Sequence, residues 1–301
     1  MVVTPTTAEI EAVPPEPWPP VRERVAAVLG WSPTRWRPVH GGYTPAARYV
    51  GARGADRCFL KVATNDVTAR MLRAEARAYL ALSGAFLPAF LGFDDDAAAP
   101  LLLIEDLTKA HWPPPWGARQ IDQVVEQAHA LHAMTARLSS ITETMPTLFA
   151  GWATVAEAPA PFLSLGVASA DWLERALPAL IEAAASCPRA APTVAHFDLR
   201  SDNICFTDSG AKFVDWAAAC LADPGLDLGG WLPSLELEGG PPPEATLPGR
   251  PDVAAAISGY FAARAGLPVI PSAPRVRTIQ ARQLAHALPW AKRALGLPDL
   301  G

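Results

Sequence analysis

A chain of 301 residues, half of them hydrophobic, can bury the core of one large domain or of two lobes around a cleft. A net charge of −5 gives no basic field for nucleic acid or anionic lipid, so neither is expected as a partner. The N-terminus has no basic stretch leading into an apolar one, and no run of about 18 uncharged apolar residues follows, so a soluble, cytoplasmic protein with no membrane association is expected.

Residues 1–20 carry Pro5, Pro14, Pro15, Pro17, Pro19 and Pro20, which remove backbone donors and predict an extended arm. From Val21 the apolar spacing is helical and stops at Gly30; Trp31 to Val39 reads as a strand. Gly41-Gly42-Tyr43-Thr44 is a turn between strands, either a plain one or one whose backbone N–H groups cover nucleotide phosphates. The next strand, Arg57 to Ala63, places Lys61 between apolar neighbours. Such a lysine either reaches solvent or meets an anion. A helix is predicted from Asp66 to Leu82, capped near Asn65, with Val67, Met71, Leu72, Ala76, Tyr79 and Leu80 as its apolar stripe. Glu75 falls among those positions, as a solvated glutamate or as a partner for Lys61. Phe86–Phe93 and Pro100–Leu107 read as two more strands, the second ending in Glu105-Asp106-Leu107, a connector whose backbone suits an adenine edge.

The composition changes at Trp112-Pro-Pro-Pro-Trp116, a boundary signal, and the following segments are mainly helical. His129 and His132 ride the first of these helices, three apart; with no third ligand nearby they read as structural. Cys58, Cys187, Cys205 and Cys220 lack paired spacing and sit in apolar surroundings, which predicts free thiols without zinc or disulfides.

The stretch Val194 to Trp216 is where the chemistry concentrates. An apolar strand runs into His196-Phe197-Asp198, Asn203 follows after four residues, and a second apolar run ends on Asp215. A hydroxyl attacking a γ-phosphate needs an acceptor for its proton, and the phosphates need cations held by hard oxygens. Asp198 suits the first task, and Asn203 and Asp215 the second, with the spacing of a kinase catalytic loop. After Asp223 and Asp227, helices are predicted around Val253–Ala265 and Arg275–Leu295.

Taken together, Gly41-Gly42, Lys61, Glu75, Glu105-Asp106-Leu107, Leu131-His132-Ala133, the His196–Asn203 loop, Asp215-Trp216 and Asp227 resemble the aminoglycoside phosphotransferase-like kinases. The resemblance implies an α+β, two-lobed protein-kinase-like fold: a small β-rich N-lobe over 21–107, a larger mainly helical C-lobe over 108–301, and an active site in the cleft. It implies ATP or GTP as co-substrate with Mg2+ on Asn203 and Asp215, and Asp198 as base. Gly41, Gly42, Tyr43, Thr44, Lys61, Glu75, Glu105 and Leu107 would then hold the nucleotide. Asp227 would be a buried aspartate bracing the loop. Two departures stand out: the family usually has glycine where this chain has Phe197, and Leu-Arg200-Ser-Asp202 replaces the commoner Leu-His-Pro-Gly.

The implied activity is transfer of the γ-phosphate to a hydroxylated small molecule, foremost an antibiotic, with a choline-like, sugar or other alcohol as the alternative acceptor and a nucleotide-binding pseudokinase as a third reading. The implied assembly is a monomer or homodimer. Trp216-Ala217 after Asp215, with no Ala-Pro-Glu later, argues against a protein kinase. Arginines outnumber free carboxylates in the later helices, and Trp112, Trp116, Trp152, Trp172, Trp231 and Trp290 fall in the same regions, which suits a neutral or modestly charged acceptor.

Overall fold

The computed structural model describes residues 14–40, 45–96, 99–271 and 273–300. The expected turn residues Gly41, Gly42, Tyr43 and Thr44 and most of the proline-rich arm lie outside the described residues. The chain forms two compact units: Met1–Arg73 with Ala89–Thr108, and Ala74–Pro88 with Lys109–Gly301.

The first unit is a five-stranded antiparallel sheet with one helix. Helix α1 (Pro19–Leu29) begins two residues before the expected start, because prolines are tolerated in a first turn whose N–H groups have no helical acceptor. The strands are β1 (Arg35–Pro38), β2 (Ala47–Arg53), β3 (Asp56–Val62), β4 (Phe90–Asp94) and β5 (Leu101–Ile104), in the order β1-β2-β3-β5-β4. Cys58, Leu60 and Val62 of β3 alternate onto one face, where they pack with Tyr49, Leu101, Leu103 and Val25 of α1. Lys61 therefore points to the opposite face, paired in register with Arg48 and Leu102. At a bulge in β4, Gly92 has φ 152°, and a Cβ there would run into Val28 of α1; glycine is what lets the helix lie on that strand. Arg24 of α1 fixes the contact through Asp94 (2.6 Å).

Helix α2 (Asp66–Ala81) starts where the Asn65 side chain accepts the Thr68 N–H (2.9 Å). The expected apolar stripe is corrected: Val67 is 54 % and Leu80 69 % exposed, while Thr68 and Glu75 are buried beside Leu72, Ala76 and Tyr79. Thr68 spends its hydroxyl on the cap and Glu75 lies inside the buried face, so counting apolar residues alone turned the helix by about one position. The strand expected over Phe86–Phe93 begins only at Phe90. Phe86 and Leu87 instead accept bonds from Phe213 N (2.7 Å) and Lys212 Nζ (2.9 Å) of the second unit, to which they belong.

The second unit is mainly helical: α3 (Ala118–His132), α4 (Ile141–Thr144), α5 (Gly151–Glu157), α6 (Ala160–Leu163), α7 (Ala170–Ser186), α8 (Pro224–Leu237), α9 (Pro243–Thr246), α10 (Pro251–Ala265) and α11 (Val276–Leu295). It also has two short antiparallel pairs, β6 (Val194–Ala195) with β9 (Cys220–Leu221) and β7 (Ile204–Thr207) with β8 (Gly210–Phe213). Helix α10 is buried almost all round from Val253 to Gly259, as its near-continuous apolar sequence requires. Trp152, Trp172 and Trp290 fill the core around it, and Trp231 is also fully buried. These four tryptophans are core residues; the Trp152 ring N–H is satisfied inside by Ala255 O (3.0 Å) and that of Trp172 by Pro298 O (2.9 Å).

Helices α5 and α10 meet glycine to glycine: a Cβ on Gly151 would strike the Gly259 carbonyl group. Backbone yields less readily than a flexible side chain, so Gly151→Ala is expected to cost about 1–3 kcal/mol. Urea denaturation checks this; an unchanged midpoint would mean the two helices part without cost.

Candidate active site

Strand β6 delivers the chain into the 196–203 loop, the β7–β8 hairpin returns it, and Asp215 follows two residues after β8. All of this lies in the second unit. The His196 side chain is fully buried; its Nδ1 accepts the Asp198 N–H (3.2 Å), which leaves Nε2 protonated and donating to Val214 O (3.0 Å). Burial lowers its pKa, consistent with that neutral tautomer, and Trp216 packs against the ring at 4.4 Å between centroids. His196 is thus a strut that pins the loop to the hairpin.

Asp198 is held by Asn203, whose Nδ2 donates to the Asp198 carbonyl (2.8 Å) and to Oδ2 (3.0 Å). Arg200 ion-pairs with Asp198 Oδ1 (3.5 Å) and Asp202 (3.1 Å). Burial, with Asp215 and Asp202 nearby, pushes the Asp198 carboxyl up to about 7 against the opposing pull of Arg200 and the Asn203 hydrogen bond. Its side chain is nevertheless 38 % exposed, so it remains open to an incoming group.

Below the loop, Asp227 of α8 is buried and accepts three hydrogen bonds: His196 N (3.1 Å) and His132 Nε2 (2.9 Å) on Oδ2, and Phe197 N (2.7 Å) on Oδ1. Burial works to raise its carboxyl, but these bonds and the two histidines outweigh it and hold it below the usual carboxylate range. His132 therefore has a definite structural task. Its partner lies 95 residues away, and nothing in the local sequence around α3 points to it.

Among the described residues, two that are not glycine have left-handed backbone, Phe197 (φ 59°) and Asp215 (φ 67°, ψ 58°), each next to or at a candidate functional carboxylate. Phe197 stands where the resembling family usually has glycine, the residue that tolerates this conformation without strain. Here the Asp227 hydrogen bond and packing of the Phe197 ring against the helical core hold it in place.

The structure thus gathers Asp198, Asn203 and Asp215 at one loop and hairpin. Lys61 lies in the first unit on β3, 6 % exposed, and Glu75 lies on α2, 2 % exposed. Glu105 spends its carboxylate on Ala89 N (3.0 Å), and Leu107 is buried. The intervening Asp106, given no role by the sequence, is an anchor: it pairs with Arg57 (2.6 Å) and accepts from the Thr108 N–H (3.0 Å) and hydroxyl (2.6 Å). All four cysteines are buried free thiols. Among the described residues no helix is long and apolar enough to cross a membrane, and no group of three or more His, Cys, Asp or Glu side chains could hold a metal ion.

A small sheet-rich unit together with a larger helical one that bears this loop makes up the α+β, protein-kinase-like fold of kinase-type phosphotransferases that act on hydroxyl acceptors. The sequence matches the phosphotransferase enzyme family, APH, over residues 35–248, and the chain belongs to that family. Spectinomycin phosphotransferase APH(9)-Ia, solved with ADP and spectinomycin, is 12 % identical with a TM-score of 0.60, covering 93 % of this chain and 99 % of its own. A thermostable mutant of aminoglycoside phosphotransferase APH(4)-Ia, in a ternary complex with ADP and hygromycin B, is 14 % identical with a TM-score of 0.56, covering 91 % of this chain and 98 % of its own. The choline kinase LicA from Streptococcus pneumoniae is 14 % identical with a TM-score of 0.50, covering 92 % and 96 %. No curated protein matches the sequence.

Proposed function

We propose that this phosphotransferase moves the γ-phosphate of ATP or GTP to a hydroxyl of an antibiotic-like small molecule, with Asp198 as the general base. The observation that carries this reading is the Asp198–Asn203 pair at 2.8 and 3.0 Å, with Asp215 within electrostatic reach. Asn203 and Arg200 orient the Asp198 carboxylate, and its exposed side accepts the hydroxyl proton as the oxygen attacks the phosphorus.

The residues fit magnesium. Asn203 gives its amide N–H groups to Asp198, and its amide oxygen receives no hydrogen bond among the described residues. That hard oxygen and the Asp215 carboxylate would hold the ion together with nucleotide oxygens. Magnesium, when bound, would neutralise charge on the phosphates. Lys61 would meet the nucleotide's phosphates, supported by its burial on β3, with Glu75 as its partner.

Protonating Asp198 removes the base. We expect kcat/KM to fall about tenfold per pH unit below about 7, and the Arg200→Ala variant to move that limb to higher pH because Arg200 favours the ionised carboxylate. A pH–rate profile that stays flat down to about pH 5.5 would remove Asp198 from the role.

A coupled assay for nucleoside diphosphate release, run with ATP and with GTP against antibiotic and alcohol-metabolite panels, tests the reading as a whole. Acceptor-dependent release that disappears in Asp198→Ala supports it. Release confined to choline-like or sugar acceptors would replace the antibiotic assignment with a metabolite kinase. Nucleotide binding with no acceptor-dependent release from any compound would make the chain a binding module.

A further inference from the structure

Glu238 sits just past the last residue of helix α8 and joins two parts of the second unit that are distant in sequence. One carboxylate oxygen accepts the Ser201 hydroxyl (2.6 Å), and the other accepts the Trp116 ring N–H (2.7 Å). Trp116 is itself fixed by packing: its ring lies tilted on Trp231 of α8 (5.6 Å between centroids) and edge-on to Phe206 of β7 (6.2 Å). With both oxygens engaged, the carboxylate is confined to one orientation, and the Ser201 hydroxyl is held to it.

Ser201 lies inside the loop that carries the proposed base. The Asn203 N–H donates to Arg200 O (2.9 Å), which closes a turn with Ser201 as its second residue. Proline in that position presets the backbone angle φ, and the resembling family commonly has proline there. Serine leaves φ free, so the turn needs another constraint, and a hydroxyl bonded to a fixed carboxylate supplies one. The turn ends on Asn203, whose side chain holds Asp198 at 2.8 and 3.0 Å, so whatever fixes Ser201 bears on the base. Helix α8 thereby grips the loop twice: Asp227 in its first turn takes the His196 and Phe197 N–H groups, and Glu238 past its end takes the middle of the loop.

We propose that Glu238 is a positioning residue for phosphoryl transfer: through the Ser201 hydroxyl it fixes the Arg200–Asn203 turn, and with it the Asn203 amide that orients Asp198. This rests on the reading of Asp198 as the base and adds to it a residue 40 positions away in the chain. Ser201 and Glu238 are half-buried, so a single hydrogen bond between them adds little to global stability, and its effect falls on the placement of the loop.

Amide hydrogen exchange on the full chain tests this without an identified acceptor. In Ser201→Ala and in Glu238→Ala, the Asn203 amide should exchange about tenfold or more faster, while the Phe197 amide and those of α10 keep their wild-type rates. Glu238→Gln should restore slow exchange: its amide oxygen can accept the Trp116 N–H while its NH2 donates to the Ser201 hydroxyl oxygen. Turnover of ATP and magnesium with water as the acceptor gives the second readout. We expect kcat to fall about tenfold to a hundredfold in both alanine variants, with KM for ATP unchanged and the rate recovered in Glu238→Gln. Wild-type exchange at Asn203 in both alanine variants would overturn the proposal, as would faster exchange with kcat unchanged. If Glu238→Ala lowers the Tm, Ser201→Ala alone decides, and where water is too slow an acceptor to give a rate, exchange alone decides. The two readings separate at Asp198→Ala: phosphoryl transfer surviving in it would remove the base, while the exchange result would still decide the tether.

Discussion

Replacing Asp198 with alanine is expected to lower turnover by roughly 10² to 10⁴, the worth of a positioned general base, with nucleotide affinity near wild type. The loss should appear in kcat more than in KM, because proton transfer occurs only as the hydroxyl attacks. The asparagine variant adds a readout that activity alone cannot give. The fold raises the Asp198 pKa to about 7, so the protein favours its neutral form and the ionised form costs stability at higher pH. Asp198→Asn should therefore be inactive and at the same time unfold at a higher temperature above about pH 7. A variant that keeps more than half of wild-type turnover, or an inactive one that is less stable, contradicts this account.

The second large effect concerns the brace. Asp227→Ala leaves the His196 and Phe197 N–H groups and the His132 ring without their acceptor, all in the interior. Breaking such a buried charged network costs about 3–5 kcal/mol, a large share of the roughly 5–15 kcal/mol that holds a domain together. The sign of its pH dependence is fixed by the depressed carboxyl: the stabilisation is present at neutral pH, and is lost only as acid carries the protein down through the folded-state pKa, below the ordinary carboxylate range. Thermal unfolding of Asp227→Asn should also show a drop, since one amide oxygen cannot accept from donors on both sides and its NH2 would face an N–H. A wild-type Tm in both variants would deny Asp227 the role.

What the sequence made legible is what lies close together in it. Asp198, Asn203 and Asp215 are spaced along 18 consecutive residues between apolar strands, and their spacing carries their chemistry. Lys61 announced itself by being a charge amid strand apolars, and it is buried. Composition cannot tell a core ring from a binding-site ring; packing around α10 makes Trp152, Trp172 and Trp290 core rings, and Trp231 is buried as well. The stripe on α2 shifted because Thr68 and Glu75 are polar residues on a buried face. His132 with Asp227 depends on a contact made by separate helices, which no local pattern encodes. The backbone of Phe197 was equally invisible, for φ is set by what the loop is tied to.

That residue also bears on how the loop moves. A glycine adopts left-handed backbone freely but carries more disorder into the unfolded chain, whereas phenylalanine carries strain of about 1–2 kcal/mol in the folded state and less entropy to lose. The loop here is kept in shape by an anchor, with its ring in the helical core and its N–H on Asp227. Its opening is thereby tied to the opening of that core. Hydrogen exchange at the Phe197 amide should follow the slow, global class of the second unit, and the proposed base would stay in place between turnovers, without a separate step to order the loop.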